Sequence, residues 1–155
     1  MTSYQFALLF HLVAVIAFFS GLAVAAAAQL GWLRRERPGE IAAVLGLARM
    51  GVLVVGVGML LVLATGLWLI EETGHSLGDG WLALSLLLLV VAGALGGVGG
   101  RKPKEARRLA ESQAGGEAPD PAIRTLLLNP AAMLANVLSA VAALAVLVLM
   151  VWRPS

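Results

Sequence analysis

Few residues in this chain could do chemistry. His11 stands inside the apolar stretch FALLFHLVAVIAFF, where an ionisable side chain is costly and marks a functional position by default. Thr65, Ser85 and Met150 stand at comparable depths in three further apolar stretches. If the chain crosses a bilayer in alternating directions, all four share one layer about two helical turns below the outer surface, at ~1.5 Å of rise per residue. Imidazole and thioether are ligand types for haem iron or copper. His11 and Met150 are therefore candidate cofactor ligands, with Thr65 and Ser85 as a polar layer beside them. Three alternatives stand beside this reading: His11 donates a hydrogen bond across the helices and fixes packing, it relays protons, or Met150 simply packs.

A second cluster gathers Glu71, Glu72, His75 and Asp79 within nine residues. Carboxylate oxygen and imidazole nitrogen together suit a divalent metal. Gly74, Gly78 and Gly80 lie between and beside them, so the segment reads equally as a pliant, solvated connection. The absence of cysteine removes thiolate catalysis and cysteine-ligated metal centres. There is also no phosphate-binding glycine loop, serine elbow or HExxH pair.

The elements that position these residues follow from hydropathy. Four apolar runs, residues 4–32, 44–70, 81–100 and 130–152, contain no acidic residue and no lysine. Each is about as long as the ~20 residues a transmembrane helix needs. The chain is 60% hydrophobic and 13% charged, against about 45–50% and about 25% for soluble domains. The expected fold is all-α, a single domain over residues 1–155 built as an up-down antiparallel four-helix transmembrane bundle. The first run has no basic n-region and exceeds the length of a signal-peptide core, so it reads as a retained helix.

Charge orients the bundle. Arg34, Arg35, Arg37 and Arg49 accompany the first connection, and Arg101, Lys102, Lys104, Arg107, Arg108 and Arg124 the third, while the second has no Lys or Arg. Short Lys/Arg-rich loops stay cytoplasmic, which places both termini and the acidic connection outside, with Arg153 as the one exception. The net charge of +2 reflects these topology signals rather than nucleic-acid binding, for no basic face carries interleaved aromatics.

The cytoplasmic polar loop 101–129 has helical content of its own. KEARRLAES prolongs helix three until Gly115-Gly116 ends it. Asp120-Pro121 and Asn129-Pro130 each signal a helix start, which permits either a short helix before the fourth span or one long helix kinked at Pro130. Trp32, Trp68, Trp81 and Trp152 suit an aromatic belt. Gln29, Asn129, Asn136 and Ser139 are candidate interhelical hydrogen-bonding groups. The glycines of helices two and three suit close helix approach, within the bundle or toward a membrane partner or a second copy.

The runs FHLVAVIAFFSGL, LLVLATGLWLI and GWLALSLLLLV and the ending LVLMVWRP resemble a family of uncharacterised bacterial four-helix predicted integral membrane proteins over nearly the whole chain. More distantly they resemble the copper-resistance protein D membrane domain and the bacterial membrane protoporphyrinogen oxidase. The resemblance implies a bacterial inner-membrane location and, through the distant relatives, haem, porphyrin or copper handling with His11 as the first-helix histidine. Two features of the oxidase pattern are missing: Ser85 stands where that family carries a lysine after GW, and the late helix-three histidine is absent from VVAGALGG. Three functions of different classes follow as expectations. They are a non-enzymatic subunit or accessory factor of a membrane assembly, a haem- or copper-binding redox protein using His11, and an oligomeric transporter or channel.

Overall fold

Thr2 starts the first helix by accepting the Gln5 amide on its hydroxyl, while the Gln5 side chain accepts the Thr2 amide in return. This reciprocal cap satisfies two of the amides a helix start leaves without partners. The computed structural model describes residues 2–76, 78–116 and 118–152, and Arg153 and Pro154, read above as a topology exception and a closing motif, lie outside them. Helix α1 spans Ser3–Gly31 and runs into a 3-10 turn at Trp32–Arg34; α2 spans Pro38–Thr73. Gly74, at φ 69°, closes α2 in the left-handed conformation that glycine adopts without strain. Then follow α3 (Gly80–Gly99), α4 (Arg101–Ser112), α5 (Pro121–Leu127) and α6 (Pro130–Trp152).

The fold is all-α among the described residues, and four of its helical stretches are long and apolar enough to cross a membrane. The chain is therefore a multi-pass integral membrane protein whose surroundings are lipid. Helix α2 begins at Pro38 rather than at the start of the apolar run, because proline suits the first helical position and Glu40 complements the dipole of the first turn. Arg49 consequently lies inside a helix, exposed. Of the two readings for Pro130, the separate short helix is the one found. Asp120 accepts the Ala122 amide at 2.8 Å to start α5, and Asn129 accepts the Ala132 amide at 3.0 Å to start α6.

Two compact units divide the chain, Met1–Arg35 with Ala43–Ser76 and Glu36–Ala42 with Leu77–Ser155. In the first, α1 and α2 pair antiparallel, since Gly21 lies against Gly51, Phe18 against Gly58, His11 against Gly66 and Ser3 against Glu72. The inward residues of α1 are Ala7, His11, Ala14, Phe18, Gly21, Ala25, Ala28 and Trp32, buried or half-buried at alternating steps of four and three. A 3.5-residue repeat is the seam of a left-handed supercoil. Trp32 is 5% exposed, so it packs in this seam and is not a lipid-facing anchor of the belt expected from sequence. Trp68 and Trp152 are exposed.

In the second unit α3 and α6 pair antiparallel along Leu82, Ser85, Leu89, Ala92 and Gly99 on one side and Ala132, Ala135, Ser139, Ala142 and Val146 on the other. Ser139 donates its hydroxyl to the Ala92 carbonyl at 2.7 Å, and the Asn136 amide reaches the Gly99 carbonyl at 3.5 Å. The polar loop belongs to this unit as a folded element. Ala106 and Ala110 of α4 and Ile123 of α5 are fully buried, as are Pro38 and Ile41 from the first turns of α2. Gln113 ties the two short helices together by donating to the Asp120 carboxylate and accepting the Asp120 amide.

Candidate functional site

His11 occupies a seam position of α1 and turns its ring toward α2. Its Nδ1 lies 3.0 Å from the Thr65 Oγ1, and that hydroxyl lies 2.6 Å from the Leu61 carbonyl one turn back. Back-bonding of this kind is the usual way a threonine satisfies its hydroxyl inside a helix. A threonine has a single hydroxyl proton. With that proton on Leu61, Oγ1 accepts, so His11 Nδ1 carries the hydrogen and Nε2 keeps a lone pair. Gly66 faces the imidazole, and a Cβ there would sit 3.5 Å from Cε1, an ordinary contact that alanine would also satisfy.

A histidine with one nitrogen fixed as a donor and the other left as a lone pair has the arrangement in which imidazoles ligate metals. The same arrangement also serves plain packing, because it satisfies the polar group against a neighbouring helix. Of the four residues expected in one layer, the structure brings together His11 and Thr65. Ser85 and Met150 both lie in the second unit. Ser85 is 1% exposed and donates its hydroxyl to the Trp81 carbonyl at 2.8 Å; Met150 is half-buried near the end of α6.

The acidic connection has a different organisation from the cluster read in sequence. Glu72 accepts the Ser3 hydroxyl at 2.5 Å and the Trp68 indole N–H at 3.3 Å, which clips the start of α1 to the end of α2. Among the described residues no three His, Asp or Glu side chains are gathered so as to hold a metal ion. His75 and Asp79 have polar partners of their own.

Sequence reasoning missed the Ser3–Glu72 clip and the docking of Pro38 and Ile41 with the α4–α5 pair. A signal for the first was the cap at Thr2 and Gln5, which fixes where α1 begins, close to the level at which α2 ends. For the second it was the amphipathic pattern of α4, with Ala106 and Ala110 on one face and the basic residues elsewhere. The interior polar groups expected to bond between helices do so at Ser139 and Asn136, whereas Asn129 caps its own helix.

A family model described as a predicted integral membrane protein, DUF2269, matches residues 6–154. No curated protein and no solved structure matches the chain.

Proposed function

The chain belongs to the predicted integral membrane protein family DUF2269, and on that premise we propose that it acts as a non-enzymatic subunit or accessory factor of a membrane assembly. The observation that supports this reading is where the polar groups of the spans go. Thr65, Thr73 and Ser85 bond carbonyls of their own helices, and Ser139 and Asn136 bond carbonyls of the facing helix. Among the described residues, every buried side-chain nitrogen or oxygen has a hydrogen-bond partner. What the helices turn outward is Leu60, Leu87, Leu134 and similar apolar residues, which in a bilayer meet either acyl chains or another helix.

The glycines divide in the same way. Gly21, Gly51, Gly58 and Gly99 are taken up by contacts inside the two helix pairs, whereas a Cβ at Gly46, Gly56 or Gly97 would meet nothing within 4 Å. Association between membrane helices favours such small residues, because hydrocarbon supplies no hydrophobic drive and backbone approach must replace it. The test is photo-crosslinking in the native membrane from probes at Leu60 and Leu87, which is expected to join the chain to one defined neighbour.

The assembly sits in the bacterial inner membrane with both termini outside. The distribution of Lys and Arg between connections supports this orientation. Since the chain has no cysteine, single-cysteine variants report topology directly. A cysteine at Ser76 is expected to react with a membrane-impermeant thiol reagent in intact cells, and one at Ser112 only after lysis. The opposite pattern would invert the orientation.

A second reading, a haem- or copper-binding protein, is favoured by the fixed tautomer of His11, whose Nε2 lone pair could ligate iron or copper. Absorption spectra of the purified protein, oxidised and reduced, test it beside His11→Ala. A Soret band lost in the variant would establish the ligand; a colourless protein expressed with haem available would remove the haem reading.

A further inference from the structure

Helix α4 has two faces of different character. Ala106 and Ala110 are fully buried on the side that meets α5. Arg101, Lys104 and Arg108 fall at i, i+3 and i+7, one stripe on the opposite side, and all three are exposed. The other two cations of the helix have carboxylate partners, Lys102 with Glu105 at 3.1 Å and Arg107 with Glu111. Among the described residues, no carboxylate pairs with the three cations of the stripe.

The position of the stripe matters as much as its charge. Helix α3 has 20 residues, about the length that crosses the hydrocarbon. Only Gly100, with right-handed φ −76° and ψ −12°, separates α3 from α4, so α4 continues outward from the span. Arg101 therefore emerges at the edge of the hydrocarbon, with Lys104 about 5 Å and Arg108 about 11 Å farther along, at ~1.5 Å per residue. The headgroup layer is on the order of 5–8 Å deep on each side, so the first two cations lie within it and the third starts about 3–6 Å beyond it, a gap its long side chain can span back toward the phosphates. Arg124, exposed on α5, adds a fourth cation to the same folded element.

We infer that the Arg101–Lys104–Arg108 stripe is a binding site for the phosphate groups of anionic phospholipids. Guanidinium forks match phosphate oxygens in pairs, and lysine adds a point charge between them. Basic clusters directly beside a transmembrane helix are attracted to anionic leaflets. The helix face is preorganised by the burial of Ala106 and Ala110, so lipid binding requires no refolding.

The full chain, purified in mild detergent, is titrated with phosphatidylglycerol or phosphatidylcholine, and retained lipid is read by native mass spectrometry. Phosphatidylglycerol is expected to bind and phosphatidylcholine to bind far more weakly. The variant Arg101→Gln/Lys104→Gln/Arg108→Gln should lose affinity on the order of 100-fold, from roughly five-fold per basic residue near a charged surface. Arg101→Lys/Arg108→Lys should keep most of it. Arg34→Gln/Arg37→Gln/Arg49→Gln, which removes the same charge elsewhere, should change it little. All these positions are exposed, and circular dichroism checks that helix content is kept. Equal retention of both lipids, or equal losses in the two triple variants, would overturn the site. Displacement of the lipid by inorganic phosphate at similar concentration would identify a free-phosphate site and overturn the assignment to lipid.

Discussion

Replacing Gly51 with alanine is expected to lower the unfolding free energy in detergent by roughly 1–3 kcal/mol, the usual cost of overpacking. The added Cβ would lie 2.8 Å from the Ala25 nitrogen, 2.8 Å from the Gly21 carbonyl oxygen and 3.2 Å from the Ala25 Cα. All three atoms are backbone, so no side chain can rotate away and the helices themselves must separate. Separation weakens the dispersion contacts along the whole α1–α2 seam, which are what hold helices together in lipid. Isoleucine at the same position should cost more and could prevent the pairing. Gly56→Ala supplies the control: its Cβ meets nothing within 4 Å, and alanine gains about 0.5–1 kcal/mol over glycine in a helix interior. Titration with denaturing detergent, followed by circular dichroism, should therefore move the midpoint in opposite directions for the two variants. A Gly51→Ala midpoint equal to wild type would contradict the close approach of α1 and α2.

Gly99→Val should be comparably damaging in the second unit. A side chain at this position would overlap the Asn136 amide and lie 3.0 Å from the Ala132 carbonyl oxygen. The Asn136 bond to the Gly99 carbonyl would be lost, worth about 0.6 kcal/mol for interhelical bonds of this kind, and the overpacking would add roughly 1–3 kcal/mol. Gly97→Val, two residues away with nothing within 4 Å of its Cβ, should stay within about 0.5 kcal/mol of wild type. The double variant Gly99→Val/Asn136→Ala distinguishes the two components. Removing the amide relieves the side-chain overlap but not the approach to Ala132, so the cycle should show partial rescue, a coupling of about 0.5–2 kcal/mol. Complete rescue would mean that the Asn136 amide was the whole obstacle.

Much of the architecture is legible in the sequence because hydrocarbon imposes simple rules. A span needs length and apolarity, so the four long helices can be read from their runs, and Asp120-Pro121 and Asn129-Pro130 announce the starts of α5 and α6 through capping chemistry. The inward faces are harder. Soluble helices mark their buried stripe by contrast with a polar face, but here both faces are apolar. Gly51 and Gly56 look alike in sequence, yet one faces a neighbouring backbone and the other open space. The alternating three-and-four spacing from Ala7 to Trp32 carried the information, in residue size rather than hydropathy. Depth counting put His11, Thr65, Ser85 and Met150 at one level, and His11 does lie against Thr65, since an antiparallel hairpin with a defined start places residues at equal depth together. It could not give the tautomer, which depends on the Thr65 hydroxyl turning to Leu61. The extension of α2 back to Pro38 was obscured by Glu40 and Arg49, charges that read as connection although a helix can carry both beyond its span or on an exposed face.

A subunit of a membrane assembly must turn its outward apolar faces to a protein as well as to lipid, and photo-crosslinking in the native membrane reads out which neighbour is there. Probes replace Leu60 of α2 and Leu87 of α3, which are 68% and 60% exposed, with a probe at Phe18, 7% exposed, as the internal comparison. An assembly subunit should give, from Leu60 or Leu87, one discrete adduct of constant mass that survives dilution of the membranes with added lipid, while Phe18 joins α1 only to α2 of the same chain. Adducts to lipid alone from both outward positions, none heavier than one 16.0 kDa chain plus a lipid, would rule out a protein neighbour at these faces.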